Sequence, residues 1–141
     1  MIVPLLIESG VVLAYAVAGL LLMLVGYGVV DLITPGKLHE LLWTEKSRNA
    51  SILVASNLLG VAIIVAVAIR ASAGDLVWGL VSTIVYGVIG IIIMAASFLI
   101  VDALTPGRLG EIVHSETIHP AVWVNASAHF GIALIMASAL L

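Results

Sequence analysis

Four long apolar runs dominate this chain, and short polar connections separate them. The runs cover residues 5–30, 52–69, 76–101 and 121–141. As helices they would be about 27 to 39 Å long, against a hydrocarbon core of about 30 Å. None alternates in polarity as a barrel strand does, and a bilayer requires backbone hydrogen bonds to be satisfied within the protein. The sequence therefore predicts an all-α, polytopic membrane protein with four transmembrane helices.

The composition excludes several classes of function. Hydrophobic residues make up 63% of the chain and charged residues 9%, which is not the composition of a soluble domain. The net charge is −3 with no basic block, so nucleic-acid binding is not expected. Cysteine is absent, and so are the common phosphate-binding, nucleophile and zinc motifs. We expect one transmembrane domain over residues 1–141 that is not an enzyme, with no cofactor or metal.

The chain also contains an internal duplication. An offset of 71 residues aligns residues 15–64 with residues 86–135 without a gap. Polar and turn residues match, which apolar bias alone does not explain: Asp31/Asp102, Thr34/Thr105, Glu40/Glu111 and Glu45/Glu116. Each copy contributes two helices, so both copies enter the membrane in the same direction. The sequence predicts two parallel tandem repeats of a helix hairpin, at about residues 5–71 and 76–141.

The positive charges predict the orientation of these hairpins. Lys37, Lys46, Arg48 and Arg108 lie in the two Thr-Pro-Gly connections, whereas the other side of the membrane has Arg70. By the positive-inside rule, both connections are cytoplasmic and both termini are outside.

Each Thr-Pro-Gly connection has the pattern of a short helix. Thr34 would be the N-cap and Pro35 the first helical residue, after which Leu38, Leu41 and Leu42 share one face. The second connection repeats the pattern. We therefore predict a short interfacial helix in each hairpin connection.

The duplicated motif Asp-x-x-Thr-Pro-Gly-(Lys/Arg)-Leu also carries a family resemblance. With its glycine-bearing helices, the chain resembles the bacterial membrane proteins of domain-of-unknown-function family 350 over nearly its whole length. The resemblance implies a bacterial inner-membrane location and gene neighbourhoods linked to membrane stress and polyamine metabolism. It implies no particular chemistry, because the family has no settled activity.

Asp31 and Asp102 are the first candidate functional residues, at the ends of the first and third helices. In one interpretation each carboxylate faces the exposed N–H groups of the following short helix, with Lys37 or Arg108 nearby. In the other, the pair binds a proton or cation around the pseudo-two-fold axis.

Asn57, Asn125 and His129 are the polar residues predicted to lie inside the membrane. Asn125 and His129 are four residues apart and share a helix face, where the first repeat has Val54 and Leu58. They either join helices by hydrogen bonds or relay protons. Together with the two aspartates, these three residues form the candidate ion path.

Small residues mark the predicted helix contacts. Ser56 and Gly60 form a small-x-x-x-small pair that recurs as Ser127 and Gly131. Such pairs let helix backbones approach closely, within one chain or between chains.

Two functions follow from these features. The first is a non-catalytic membrane component that forms a homo-oligomer in the lipid bilayer and presents its connections to cytoplasmic or membrane protein partners. The alternative is a small channel or transporter for protons or cations, which requires the polar residues to converge on one axis.

The predicted orientation can be tested by labelling single cysteines, because the natural chain has none. Cysteine at Ser47 or Thr117 should react with an impermeant thiol reagent only from the cytoplasmic side, and cysteine at Ser72 only from outside. Labelling of a connection residue from outside would contradict the charge argument.

Overall fold

The computed structural model describes residues 2–72 and 74–141 and contains four long helices. They are α1 (Ile2–Ile33), α2 (Arg48–Ala71), α3 (Leu76–Leu104) and α5 (Pro120–Leu140). The connections contain a π-helix (Glu40–Thr44) and the short helix α4 (Leu109–Ile112). Each long helix is long and apolar enough to cross a membrane. The prediction of an all-α chain with four transmembrane helices is confirmed.

Side-chain caps define where three of the long helices begin. The Ser47 hydroxyl accepts a hydrogen bond from Ala50 N–H at the start of α2, at 3.1 Å. The Asp75 carboxylate accepts one from Trp78 N–H at the start of α3, at 3.0 Å. At the start of α5 the acceptor is the imidazole of His119, with Pro120 as the first helical residue. These caps pair N–H groups that have no partner within the helix.

The middle of the bundle is formed by α2 and α3. Both α1 and α5 pack against these two helices, and the most extensive contact is between α2 and α5. The helices alternate in direction, so α1 and α3 end, and α2 and α5 begin, at the same end of the bundle. We call this end the connection face, formed by residues 34–47 and 105–119, and the opposite end the terminal face.

Two apolar clusters fill the bundle. The cluster nearer the connection face contains Val30, Leu38, Leu41, Ala50, Leu53, Val54, Phe98, Leu109, Ile112, Val113 and Val122. The cluster nearer the terminal face contains Leu22, Val61, Ile64, Val65, Ile91, Met94 and Ala133. The apolar residues of the connections therefore face the bundle and close its end. Between the clusters lie buried polar residues of α2 and α5.

The Thr-Pro-Gly segments are turns and not helix starts. Gly36 and Gly107 have φ of +100° and +93°, which only glycine adopts without strain. Helical structure begins two residues later, at Leu38 and Leu109. The prediction that Thr34 is an N-cap with Pro35 at the first helical position is therefore wrong.

The two small-residue pairs lie in different surroundings. A Cβ added at Gly60 would overlap the Met94 Cε methyl and lie 3.5 Å from the His129 carbonyl oxygen. A Cβ added at Gly131 would meet no atom of the described residues within 4 Å, and Ser127 is exposed. Within one chain, Gly131 does not pack closely against another helix, because that face of α5 turns away from α2 and α3.

These two glycines form a matched pair for testing helix packing. Gly60→Leu should lower the free energy of unfolding by about 1–3 kcal/mol or more, because the larger side chain separates α2 from α3 and α5. Gly131→Leu should leave the unfolding of the monomer nearly unchanged. The measurement is thermal unfolding in detergent under monomeric conditions, and equal losses in both variants would contradict this packing.

Candidate functional site

Asp31 and Asp102 occupy equivalent positions at the connection face. The Asp31 carboxylate accepts a hydrogen bond from Leu38 N–H at 2.8 Å, and the Asp102 carboxylate accepts one from Leu109 N–H at 2.6 Å. Each aspartate thus reaches across its Thr-Pro-Gly turn to the first N–H group of the following helical segment. Both carboxylates cap helix starts, as charge at a helix N-terminus favours.

A line of polar residues joins α2 to α5, and we call it the polar seam: Asn49, Ser56, Asn125 and His129. Both helices begin at the connection face, so they run side by side in the same direction. At the end of the seam nearer the connection face, the Asn49 Oδ1 accepts a hydrogen bond from His119 N–H at 3.1 Å. Further along, Ser56 Oγ lies 2.9 Å from His129 Nδ1. Asn125 lies on α5 between these two links, on the same face as His129.

The contact between Ser56 and His129 fixes the protonation pattern of the imidazole. Ser56 Oγ also lies 2.9 Å from the Leu53 carbonyl oxygen, to which it donates its single hydrogen. His129 therefore donates from Nδ1–H to Ser56 Oγ. His129 is 1% exposed and lies about 12 Å along α5 from Ala121. The imidazole of His129 thus links the two helices deep in the bundle.

Asn125 is fully buried, at 0% exposure, and neither of its amide atoms has a hydrogen-bond partner among the described residues. The Asn57 Nδ2 is likewise buried and unpaired, but it points to another helix: a Cβ added at Gly26 of α1 would lie 3.2 Å from it. The structure therefore brings Asn125 and His129 together in the seam. Asn57 lies at the contact between α1 and α2, and the two aspartates lie at the connection face.

Asn49 is a residue whose importance sequence reasoning missed. Its side-chain N–H₂ donates to the carbonyl oxygens of Ile112 at 3.0 Å and Thr117 at 2.9 Å, with the Ser115 carbonyl oxygen at 3.4 Å. With the bond that Asn49 accepts from His119 N–H, one buried amide holds four backbone positions of the second connection. The available signal was a polar residue where the second repeat has proline.

Ser47 supports the same contact. Its hydroxyl bonds to the Val113 carbonyl oxygen while it caps α2. Ser47 is buried, whereas Thr117 is exposed, so Thr117 is the more suitable connection residue for cysteine labelling.

A cavity of about 450 Å³ opens beside these contacts at the connection face. Its lining is mostly charged or polar and comprises Glu45, Lys46, Ser47, Arg48, His114, Ser115 and Glu116. His114 Nδ1 and Glu45 Oε2 lie 3.2 Å apart across it, joining the two connections. Both signs of charge occur in the lining, so the cavity has no strong preference for an anion or a cation.

The chemistry available in the seam is that of neutral hydrogen-bonding groups. It offers amides, a hydroxyl and an imidazole, and no carboxylate of the described residues is buried with them. Over residues 2–72 and 74–141 no three His, Cys, Asp or Glu side chains are grouped so that they could hold a metal ion. The arrangement is suited to joining helices and to binding small neutral polar molecules.

Comparison with known proteins agrees with this membrane architecture. The profile of the family Domain of Unknown Function (DUF350) matches residues 3–140. The chain belongs to the DUF350 family. The resemblance carried by the duplicated Asp-x-x-Thr-Pro-Gly motif is thereby confirmed.

Curated relatives of this DUF350 chain are described as transmembrane proteins. A UPF0719 transmembrane protein of Mycolicibacterium paratuberculosis is 32% identical over 133 residues, covering 94% of this chain and 83% of the relative. Those of Mycobacterium bovis and Mycobacterium tuberculosis are each 32% identical over 126 residues, covering 89% of this chain and 83% of each relative. No solved structure matches the chain significantly. This DUF350 chain is thus a multi-pass membrane protein of a family whose function is unknown.

The capping geometry distinguishes the two interpretations of the aspartates. Asp31→Asn and Asp102→Asn keep an oxygen that accepts the N–H hydrogen bond, so each should cost a few tenths to about 1 kcal/mol of unfolding free energy. Asp31→Ala and Asp102→Ala lose the acceptor and should cost about 1–2 kcal/mol. Thermal unfolding of the four variants provides the measurement. Equal costs for Asn and Ala would contradict the hydrogen-bonded cap.

The contribution of Asn49 can be tested in the same way. Asn49→Leu removes the side-chain hydrogen bonds that join α2 to the second connection, each with a net contribution of about 0.5–1.5 kcal/mol. The variant should therefore unfold at a much lower temperature, and a protease should cleave it faster within residues 109–119. Ser51→Ala is the control, because Ser51 is exposed and bonds only within its own helix turn. Similar behaviour of the two variants would show that Asn49 does not hold the connections together.

Proposed function

We propose that this chain is a non-catalytic membrane component that assembles with further copies of itself through α5. In this proposal the connection face lies in the cytoplasm of a bacterium, the bilayer is the inner membrane, and the connections bind protein partners. The link to membrane stress that the family resemblance implies belongs to this proposal as well.

The observation that carries the proposal is that the two small-residue pairs lie in different surroundings. Ser56 and Gly60 of α2 are buried against α5 and α3, whereas on α5 Ser127 is exposed and Gly131 is half-buried with open space where a side chain would stand. A glycine gains nothing by facing lipid, but it lets the backbone of another helix approach. A second copy of the chain supplies such a helix.

The connection face supports the second part of the proposal. Asn49, Ser47 and the contact between Glu45 and His114 hold the two connections in one arrangement. Trp43 is exposed beside charged residues of the same face. A surface that is fixed by these contacts and combines an exposed aromatic ring with charges has the composition of a protein-binding site.

The absence of catalysis in the proposal rests on the chemistry of the seam. His129 is hydrogen-bonded to Ser56, but the resulting pair is enclosed between apolar clusters, and Ser56 Oγ donates to a backbone carbonyl. A serine nucleophile needs its hydrogen directed at the base and its oxygen open to a substrate.

A second candidate function is supported by the buried polar residues. Asn125 and His129 lie on one face of α5 inside the bundle, as an ion or proton path requires. On the terminal side of His129, however, the bundle interior is filled by Ile64, Met94 and Ala133, each fully buried. A path through the whole membrane would require this apolar cluster to move, which favours the first proposal.

Assembly can be tested with a matched pair of glycines. We expect the wild type to be oligomeric in lipid bilayers, and Gly131→Leu should shift it towards monomer because the side chain blocks helix approach. Gly28→Leu is the control, since a Cβ at Gly28 of α1 also meets no described atom within 4 Å. Single-molecule photobleaching gives the subunit count. A monomeric wild type, or equal effects of both variants, would contradict assembly through α5.

Transport can be tested separately from assembly. Proton and cation flux into liposomes at about pH 5.5 and about pH 7.5, on either side of the usual titration of histidine, should equal that of empty liposomes. Flux that is present in the wild type and lost in His129→Leu would instead establish the channel. The first repeat has Leu58 at the equivalent position, so this variant introduces a side chain that the fold already accepts there.

A further inference from the structure

The unpaired amide of Asn125 is the strongest unexplained feature of the bundle. Both its Oδ1 and Nδ2 are buried, and nothing in the described part of the chain lies within hydrogen-bond distance of either atom. Burying an amide without partners costs at least about 1–3 kcal/mol, and more in a hydrocarbon environment. The first repeat has Val54 at the equivalent position and avoids this cost. An asparagine at this position therefore calls for a partner.

The position of Asn125 defines where that partner binds. Along α5, the residue lies between His119, which is bonded to Asn49, and His129, which is bonded to Ser56. These two links hold α2 and α5 together on the connection side and on the terminal side of Asn125. The partner therefore lies inside the polar seam, enclosed by the two helices.

The charge of the surroundings decides what kind of partner this is. The buried polar residues among those described are Thr34, Ser47, Asn49, Ser56, Asn57, Thr83, Asn125 and His129, and none is a carboxylate. A cation would have no opposite charge beside it, and a buried charge without one is strongly disfavoured. A neutral molecule that both donates and accepts hydrogen bonds satisfies both amide atoms at no such cost.

We propose that the polar seam is a water-binding site, with ordered water held by the amide of Asn125 between the two links. The water donates to Asn125 Oδ1 and accepts from Asn125 Nδ2, so the amide is satisfied without a protein partner. The proposal is independent of the proposed assembly, since it concerns the interior of one chain.

The apolar clusters close this site at both ends. Towards the terminal face, Ile64, Met94 and Ala133 fill the interior and present no polar atoms to water. Towards the connection face, Ala50, Leu53 and Val122 of the other cluster are equally buried, and the cavity of about 450 Å³ is lined by residues 45–48 and 114–116 and not by Asn125. Water bound at Asn125 is therefore enclosed in the bundle, about one helix turn from His129.

The test uses the intact protein in lipid bilayers, with water-edited solid-state NMR. Asparagine labelled with ¹⁵N at the side chain gives signals from Asn49, Asn57 and Asn125 alone, which are the asparagines of the chain. We expect magnetisation from water to reach the Asn125 side chain severalfold faster than it reaches the backbone N–H of Ala133, which lies in the apolar cluster. Equal rates at Asn125 and Ala133 would overturn the proposal.

A matched variant separates bound water from general penetration of the bundle. Asn125→Val copies the residue of the first repeat and should slow the transfer of magnetisation from water to the His129 ring, because the site is lost. Asn57→Ala, which changes the unpaired amide at the contact with α1, should leave that transfer unchanged. Unchanged transfer to His129 in Asn125→Val would show that Asn125 holds no water. If that variant does not fold, the wild-type comparison with Ala133 still decides.

Discussion

The hydrogen bonds of the Asn49 amide join the two halves of this bundle. The amide lies at the start of α2, is 1% exposed, and binds backbone groups of the second connection from Ile112 to His119. Those backbone groups belong to a segment with little regular structure, so a side chain of α2 sets its position. The position of α4, the start of α5 and hence the alignment of the polar seam depend on this contact.

The two copies of the duplicated sequence agree at the aspartate caps, where both do the same local task, and differ at several positions where the halves meet. Asp31 and Asp102 cap equivalent helix starts with the same spacing, because each turn needs the same N–H group paired. Asn49 aligns with Pro120, and His129 aligns with Leu58. These positions face the other half of the bundle, and α2 contacts three long helices while α5 packs on two. Equivalent positions thus have different neighbours, and different residues suit them.

The same distinction explains how much the sequence predicted. The four helices followed from the apolar runs, because backbone pairing in a bilayer leaves a helix as the solution for such a run. The Thr-Pro pair predicts Thr34 as the cap of the first connection, because such a pair is a common helix start. In the structure the acceptor is Asp31 from the preceding helix. Asn125 and His129 were found as a pair from their spacing. Gly60 is covered by neighbouring helices and Gly131 is not, because different helices surround the two positions. A repeated motif carries no information about which helices will surround it.

The seam also limits what the bundle can conduct. Its polar groups are neutral, so they can hold water and hydrogen-bond helices together, but they cannot compensate a buried cation. On the terminal side of His129, the interior is filled by Ile64, Met94 and Ala133, whose side chains offer no acceptor for a proton. On the connection side, Leu53, Val54 and Val122 are buried in the other apolar cluster, so the polar seam is enclosed at both ends and does not form a pore.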